Sequence, residues 1–207
     1  EKIFTDKLHT LAYGTDASFY RLIPKIVIKT DNAKEVQDII ELSNSMNLSI
    51  TFRAAGTSLS GQAISDSILI VTSRNFSNFK IAPDASFISL QPALTGAQVN
   101  GLLAKYSKKI GPDPASINAA MIGGIAANNA SGMCCGISQN SYKTLKSIKL
   151  IFSDGTKLDT GCKESKDAFR KSHADFLKDL KSFSDDTKNN EELRARIERK
   201  FKIKNTC

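Results

Sequence analysis

Apolar positions change their period along the chain in a way that marks out alternating helices and strands. Phe4, Leu8 and Leu11 recur at helical spacing and predict an opening helix. Lys25-Ile-Val-Ile-Lys29 reads as a short buried strand, and Val36, Ile39, Ile40, Leu42 and Met46 then form the stripe of a helix ending near Asn47. Asp31 or Asn32 caps that helix, because either side chain carries an oxygen that accepts from first-turn N–H groups. Leu48 to Phe52 is the next strand, and strand, helix, strand in this space is a βαβ unit with the two strands pairing in parallel.

The pattern then shortens. Ser67-Ile-Leu-Ile-Val71, Phe79-Lys-Ile81 and Ser86-Phe-Ile-Ser-Leu90 are strands separated by turn residues at Asn75, Asn78, Pro83 and Asp84. Thr95 followed by Gln98 is a capping box for a helix through Val99, Leu102 and Leu103 to about Lys105, with Lys109-Ile110 as a strand beyond it. Thr144 to Phe152 and Thr156 to Thr160 alternate around Asp154-Gly155, a strong hairpin signal. From Glu164, residues Ala168, Phe169, Phe176, Leu177, Leu180 and Phe183 predict one long amphipathic helix, with a polar break over Asp185 to Asn190 and a further helix from Glu191.

Two stretches carry no such periodicity. The first, Arg53-Ala-Ala-Gly-Thr-Ser-Leu-Ser-Gly-Gln-Ala63, leaves the carboxyl end of a parallel strand, where α/β sheets bind phosphate. Its small residues let consecutive N–H groups converge on an anion, and Thr57, Ser58 and Ser60 add hydroxyls. It is neither a G-x-G-x-x-G nor a P-loop. Arg53 either balances the charge of a ligand or is an exposed strand-end arginine. The second stretch, Pro112 to Gly132, holds no charged residue after Asp113 and is rich in Gly, Ala and Asn. Taken alone it reads equally as a tight packing seam or as a surface that lets backbone approach a flat or polyanionic ligand.

Composition narrows the field. The chain has 207 residues, 41% apolar and 24% charged, which describes a folded soluble protein. No run approaches the roughly 18 apolar residues of a membrane helix, and the first residues are not a signal peptide. Cys134, Cys135, Cys162 and Cys207 form no C-x-x-C, and His9 and His173 are the only histidines, so no metal site is expected. A reducing cytosolic setting follows. The net charge of +8 raises nucleic acid or an anionic membrane surface as partners. The cations are spread along the chain until the last forty residues, and aromatics interleaved with them as on a base-stacking sheet are not read there, so nucleic-acid binding is not expected.

The two loops together resemble the flavoprotein family of p-cresol methylhydroxylase and vanillyl-alcohol oxidase. The residues that carry the likeness are Arg53 to Gln62, Gly111-Pro-Asp-Pro-Ala-Ser116, and Ile122-Gly-Gly-Ile-Ala-Ala-Asn-Asn-Ala-Ser-Gly132. Phe169-Arg-Lys-Ser-His173 and Lys200-Phe-Lys-Ile-Lys-Asn-Thr206 narrow it to FAD-linked oxidases of the D-lactate and glycolate dehydrogenase type. The resemblance implies an α+β fold, the FAD-binding fold of the p-cresol methylhydroxylase type, with two α/β subdomains. One is a small parallel βαβ subdomain over 1–75, and the other a mixed or antiparallel sheet with helices over 76–162. Residues 163–207 would form a helical extension leading into a substrate domain that lies outside this chain, which reads as an interrupted protein.

The resemblance further implies FAD as cofactor, its pyrophosphate held by Arg53, Ala54, Ala55, Gly56, Thr57, Ser58 and Gly61. Its ribityl chain and flavin would lie along Pro112, Asp113, Ser116, Ile122, Gly123, Gly124, Ala127, Asn128, Asn129, Ala130 and Gly132. Relatives that link flavin covalently use a histidine where Thr57 stands, so the FAD here is expected to be non-covalent. Cys134 and Cys135 are expected to be small packing residues. No catalytic residue and no metal ligand is expected within the chain, and an iron–sulfur cluster is expected only in a downstream module. The implied reaction is hydride transfer from a 2-hydroxy acid such as D-lactate or glycolate to FAD, with electrons leaving to a separate acceptor. The implied placement is cytoplasmic, with peripheral membrane association as a variant. An ether-lipid (alkylglycerone-phosphate) synthase using the same domain, and a non-catalytic basic binding module, are the alternatives.

Overall fold

Four of the β segments assemble one sheet in the computed structural model, which describes residues 2–132, 134 and 136–201. Met133, Cys135 and residues 202–207, which include part of the Lys200 to Thr206 motif and Cys207, lie outside them. Strand β1 (Ile3–Phe4) pairs antiparallel with β2 (Ile26–Thr30), and β2 and β3 (Ile50–Arg53) each pair in parallel with β4 (Ile68–Thr72). The order is β1-β2-β4-β3. The βαβ unit is therefore parallel as expected, but its two strands do not touch. The Ile-Leu-Ile-Val run of β4 is the more completely apolar segment, so it takes the central place, where both faces are covered. Phe52 of β3 is half exposed at the edge.

Phe4 does not join a helix with Leu8 and Leu11. It is buried with Val27, Leu69 and Val71, and helix α1 (Lys7–Ala12) starts only after Asp6, whose carboxylate accepts from the His9 N–H at 3.1 Å. Leu8 and Leu11 are exposed. Helix α2 (Ala33–Ser45) is capped by Asn32, which accepts from the N–H groups of Lys34 and Glu35, both at 3.0 Å. Asp31, the other candidate cap, instead pairs with Lys2 at 2.6 Å.

After β4 the chain forms hairpin β5 (Phe79–Ile81) and β6 (Ile88–Leu90), then helix α3 (Gly96–Ala104). The capping box is reciprocal, with Gln98 N–H to Thr95 Oγ1 at 3.2 Å and Thr95 N–H to Gln98 Oε1 at 2.8 Å. Leu94, Val99 and Leu103 form the core here, with Ile81, Ile88, Leu90, Ile110 and Ile122 packed on it. Lys109-Ile110 is not a strand. Its Ile110 N–H donates to Asn100 Oδ1 at 3.0 Å, so a side chain supplies the acceptor a ladder would have given.

Two short helices follow, α4 (Ile122–Ala127) and α5 (Ser141–Thr144), and then hairpin β7 (Lys149–Ile151) and β8 (Lys157–Asp159). The two hairpins are separate two-stranded sheets rather than one larger sheet. The turn between β7 and β8 is tied to α2, through Gln37 Nε2 to the Gly155 carbonyl at 3.2 Å and Asn44 to the Ser153 carbonyl.

The long helix expected from Glu164 is divided at His173 into α6 (Lys163–Ser172) and α7 (Ala174–Asn189). His173 stacks on Phe169 with ring centroids 4.1 Å apart, and its Nε2 lies 2.9 Å from Asp154 Oδ2. Anchoring to the hairpin turn bends the chain where the apolar spacing alone runs straight through. The expected break over Asp185 to Asn190 shrinks to Asn190, which caps α8 (Glu191–Lys200).

Candidate functional site

The first loop begins where β3 ends, and its base is built by residues from both of its ends. Arg53 turns its guanidinium back onto the chain. Nη1 donates toward the carbonyls of Thr15 at 2.7 Å, Tyr13 at 3.3 Å and Ala63 at 3.4 Å. Burial pulls the Arg53 guanidinium down from its usual value, with Asp16 and Tyr13 opposing, and it stays charged. It fills the space where a Cβ at residue 56 would stand, 2.5 Å from Nη2, and Gly56 has φ +71°. Only glycine combines that backbone with that close approach at no cost.

The loop's hydrogen bonding leaves one stretch open. The Ser58 hydroxyl accepts from the N–H groups of Ser60 at 3.1 Å and Gln62 at 3.3 Å, and the Gly56 carbonyl accepts from Ala17 at 3.0 Å. Among the described residues, the backbone N–H groups of Ala55, Gly56, Thr57 and Ser58 donate to no other group of the chain. Consecutive free amides at the carboxyl end of a parallel strand, with a desolvated cation beneath and no acidic side chain from Ala54 to Ala63, suit an anion. Gly61, with φ +71°, lies against Tyr20, whose Cδ2 is 3.0 Å from an ideal Cβ there.

The second loop is a pair of adjacent segments. Asp113 N–H donates to the Ser131 carbonyl at 3.2 Å, and a Cβ on Gly132 would fall 1.8 Å from the Asp113 carbonyl oxygen. Pro112 is buried beside them. Ser116 forms the turn that follows, its carbonyl accepting from Ala119 at 2.8 Å and Ala120 at 2.7 Å. Helix α4 then places its glycines differently. Gly123 is pressed against Pro92, 2.8 Å from an ideal Cβ, and donates to the Pro92 carbonyl at 3.0 Å. A Cβ on Gly124 would meet only Ala54 Cβ, at 3.8 Å. Ala54 and Gly124 are thus the point where the two loops face each other across the molecule's small-residue surface.

Beyond α4, Asn128 donates its N–H to the Gly124 carbonyl at 3.0 Å and its side chain is exposed, as is Ala127. Asn129 adopts φ 45°, and its side-chain oxygen accepts from Tyr142 N–H at 3.0 Å. The Ala130 carbonyl accepts from the Ser141 N–H at 3.0 Å and hydroxyl at 3.1 Å. The two stretches singled out in the sequence are therefore one region, with Ala54 and Gly124 at the junction. The side chains of Arg53, Ser58 and Asn129 make hydrogen bonds within the chain.

Sequence reasoning missed three supporting features. Asp16 accepts from Ser18 N–H at 2.8 Å and Ala63 N–H at 3.3 Å; the Asp-Ala-Ser spacing was its only signal. Ser141, buried at the start of α5, which Asn140 caps by accepting from the Lys143 N–H, closes the end of the second loop. Helix α4 itself was hidden because two glycines in six residues argue against a helix. Cys134 is exposed and borders a recess of about 250 Å³ with Lys109, Gly111, Ser138 and Gln139, so it is not packed in the core. No helix among the described residues is long and apolar enough to cross a membrane.

Comparison with known proteins shows the family. The model of the FAD binding domain family matches residues 24–161. The glycolate oxidase subunit GlcD of Escherichia coli K12 is 29% identical over 161 residues, covering 74% of this chain and 32% of that protein. D-2-hydroxyglutarate dehydrogenase from the same organism is 25% identical over 154 residues, 72% of this chain and 15% of that protein. The chain thus spans a third or less of the length of these curated relatives. Among solved structures, an alkyldihydroxyacetonephosphate synthase superposes with a TM-score of 0.65 at 18% identity, over 79% of this chain and 34% of the other. That likeness is one of fold.

Proposed function

Because the chain belongs to the FAD binding domain family, with FAD as its cofactor, we propose that it holds FAD non-covalently for an oxidoreductase that oxidises a 2-hydroxy acid such as D-lactate or glycolate. The observation that carries this reading is the run of free amides from Ala55 to Ser58, set opposite the Gly124 face of α4. The residues fit the cofactor. A diphosphate is recognised by convergent N–H donors above a cation, and a planar ring system by a surface without side chains.

In this reading Ala54 to Ser58 and Gly61 hold the pyrophosphate, with Arg53 beneath them. Pro112, Asp113 and Ser116, then Ile122 to Gly124 and Ala127 to Gly132, line the ribityl chain and flavin. Each charge-assisted contact contributes about 1.5–3 kcal/mol, so four neighbouring amides suffice to anchor a dinucleotide. Bound FAD supplies the hydride acceptor, and electrons leave afterwards to a separate acceptor. The chain's own part is to bind and orient. The Gly123–Pro92 and Gly132–Asp113 contacts hold the second loop rigid, and its surface from Pro114 to Gly132 presents no charged side chain. The groups that bind the substrate carboxylate and take its hydroxyl proton lie outside the 207 residues in this proposal.

The test is spectroscopic. The purified full-length protein should show the flavin bands in visible absorption and release its flavin to the supernatant on denaturation. Anaerobic addition of D-lactate or glycolate should bleach them. A colourless full-length protein that takes up no FAD on reconstitution would refute the loop assignment. Bleaching by other substrate classes but by no 2-hydroxy acid would refute the substrate assignment alone.

A further inference from the structure

Asp16 is a carboxylate at the base of a loop that, on the reading above, holds a diphosphate. By charge alone it opposes that ligand. Its surroundings show another contribution. Oδ1 accepts from the Ser18 N–H at 2.8 Å and Oδ2 from the Ala63 N–H at 3.3 Å. Burial pushes the Asp16 carboxyl up, yet the Ser18 hydroxyl and N–H, the Ala63 N–H and the Arg53 charge together hold it below the usual carboxylate range. It is therefore ionised under ordinary conditions, and the Arg53 charge favours that form.

The loop's two ends are held by this pair. Ala63, at the far end, has its N–H held by Asp16 and its carbonyl by Arg53, the residue at the near end. The same guanidinium binds the carbonyls of Tyr13 and Thr15, on either side of the turn that leads to Asp16. Ala17 ties the middle of the loop through the Gly56 carbonyl at 3.0 Å. Segment 13–18 is thus a frame that fixes the start, bend and end of the loop while the amides of Ala55 to Ser58 stay free.

We propose that Asp16 is a positioning residue for the FAD diphosphate, acting through Arg53, Ser18 and Ala63 without touching the cofactor. This rests on the reading of the first loop as the diphosphate cradle. Positioning and charge predict opposite signs, which makes the proposal sharp. Removing a negative charge beside an anion site strengthens anion binding if charge governs, and weakens it if the frame governs.

The experiment is a titration of the apo form of the full-length protein with FAD, followed by flavin fluorescence. Asp16→Ala should bind FAD about tenfold more weakly than the wild type, the effect of losing a charge-assisted hydrogen bond in the frame. Asp16→Asn removes the charge but keeps one accepting oxygen, and should recover part of the affinity; it also serves if the alanine variant does not fold. FAD binding by Asp16→Asn as tight as, or tighter than, the wild type overturns the proposal. A wild-type protein that binds no FAD overturns the reading of the loop itself.

Discussion

Gly132→Ala and Gly124→Ala make a matched pair of perturbations, one methyl added to each of two glycines of the second loop. At Gly132 the new Cβ would stand 1.8 Å from the Asp113 carbonyl oxygen and 2.3 Å from its carbon. A tolerable carbon–oxygen contact is about 3.3 Å, so the two segments must part by about 1.5 Å. The hydrogen bond from Asp113 N–H to the Ser131 carbonyl, already 3.2 Å, does not survive that movement. Its loss costs about 1 kcal/mol, and overpacking adds about 1–3 kcal/mol. Together these are about 2–4 kcal/mol, or a fall in melting temperature of roughly 5–15 °C for a chain of this size. At Gly124 the methyl meets only Ala54, at an ordinary 3.8 Å, and alanine favours the helix. That variant should melt at or slightly above the wild-type temperature. Its methyl nevertheless stands between the two loops, so FAD affinity should fall about tenfold. The assays are thermal unfolding of the apo form and FAD titration of the full-length protein. Wild-type melting of Gly132→Ala, or a loss at Gly124→Ala as large as at Gly132→Ala, would refute the packing argument.

Two further outcomes follow from the first loop and from the residues at the start of the four-stranded sheet and of α2. Gly56→Ala places a Cβ 2.5 Å from Arg53 Nη2 in a backbone with φ +71°; the strain costs about 1–2 kcal/mol, and FAD content should drop while far-UV circular dichroism stays native, whereas stoichiometric flavin would contradict the role of that turn. Lys2 lies 2.6 Å from Asp31 and 2.8 Å from Glu35, and its hydrogen bonds hold both carboxyls below their usual range, helped by the Ser73 hydroxyl at Asp31 and the Asp31 N–H at Glu35. Depressed folded-state values mean that this stabilisation is present above the unfolded carboxylate range, about pH 4, and is lost as pH falls through the folded values. Melting temperature should therefore decline from about pH 5 downward, and Lys2→Met should flatten that decline; an equally steep profile in the variant would show that other carboxylates govern it.

What could be read in the amino acids alone were features whose cause is local. The capping box at Thr95 and Gln98, the Asn32 cap, the β7–β8 turn at Asp154-Gly155 and strands β2 to β6 depend on neighbours a few residues away and stand where the pattern placed them, to within about two residues; Lys109-Ile110 is no strand, and the run expected from Thr144 becomes one only at Lys149. The two small-residue stretches were legible for a different reason. Their lack of charge and periodicity is itself a sequence property, and their joint likeness to a flavoprotein family is matched by the family model. Tertiary structure decided everything that turns on which segments meet. Only the sheet could place β4 between β2 and β3, since apolar content makes a strand central but does not name its partners. Phe4 is buried in the sheet although its spacing with Leu8 and Leu11 is helical, because Asp6 delays the helix. His173 breaks a continuous amphipathic pattern through its contact with Asp154, nineteen residues earlier. Arg53, which the sequence left between ligand contact and exposed side chain, is turned onto the carbonyls of Tyr13 and Thr15, some forty residues away. The composition of a loop declares that it suits an anion; the frame that holds its amides open is made by distant backbone, which no local pattern records.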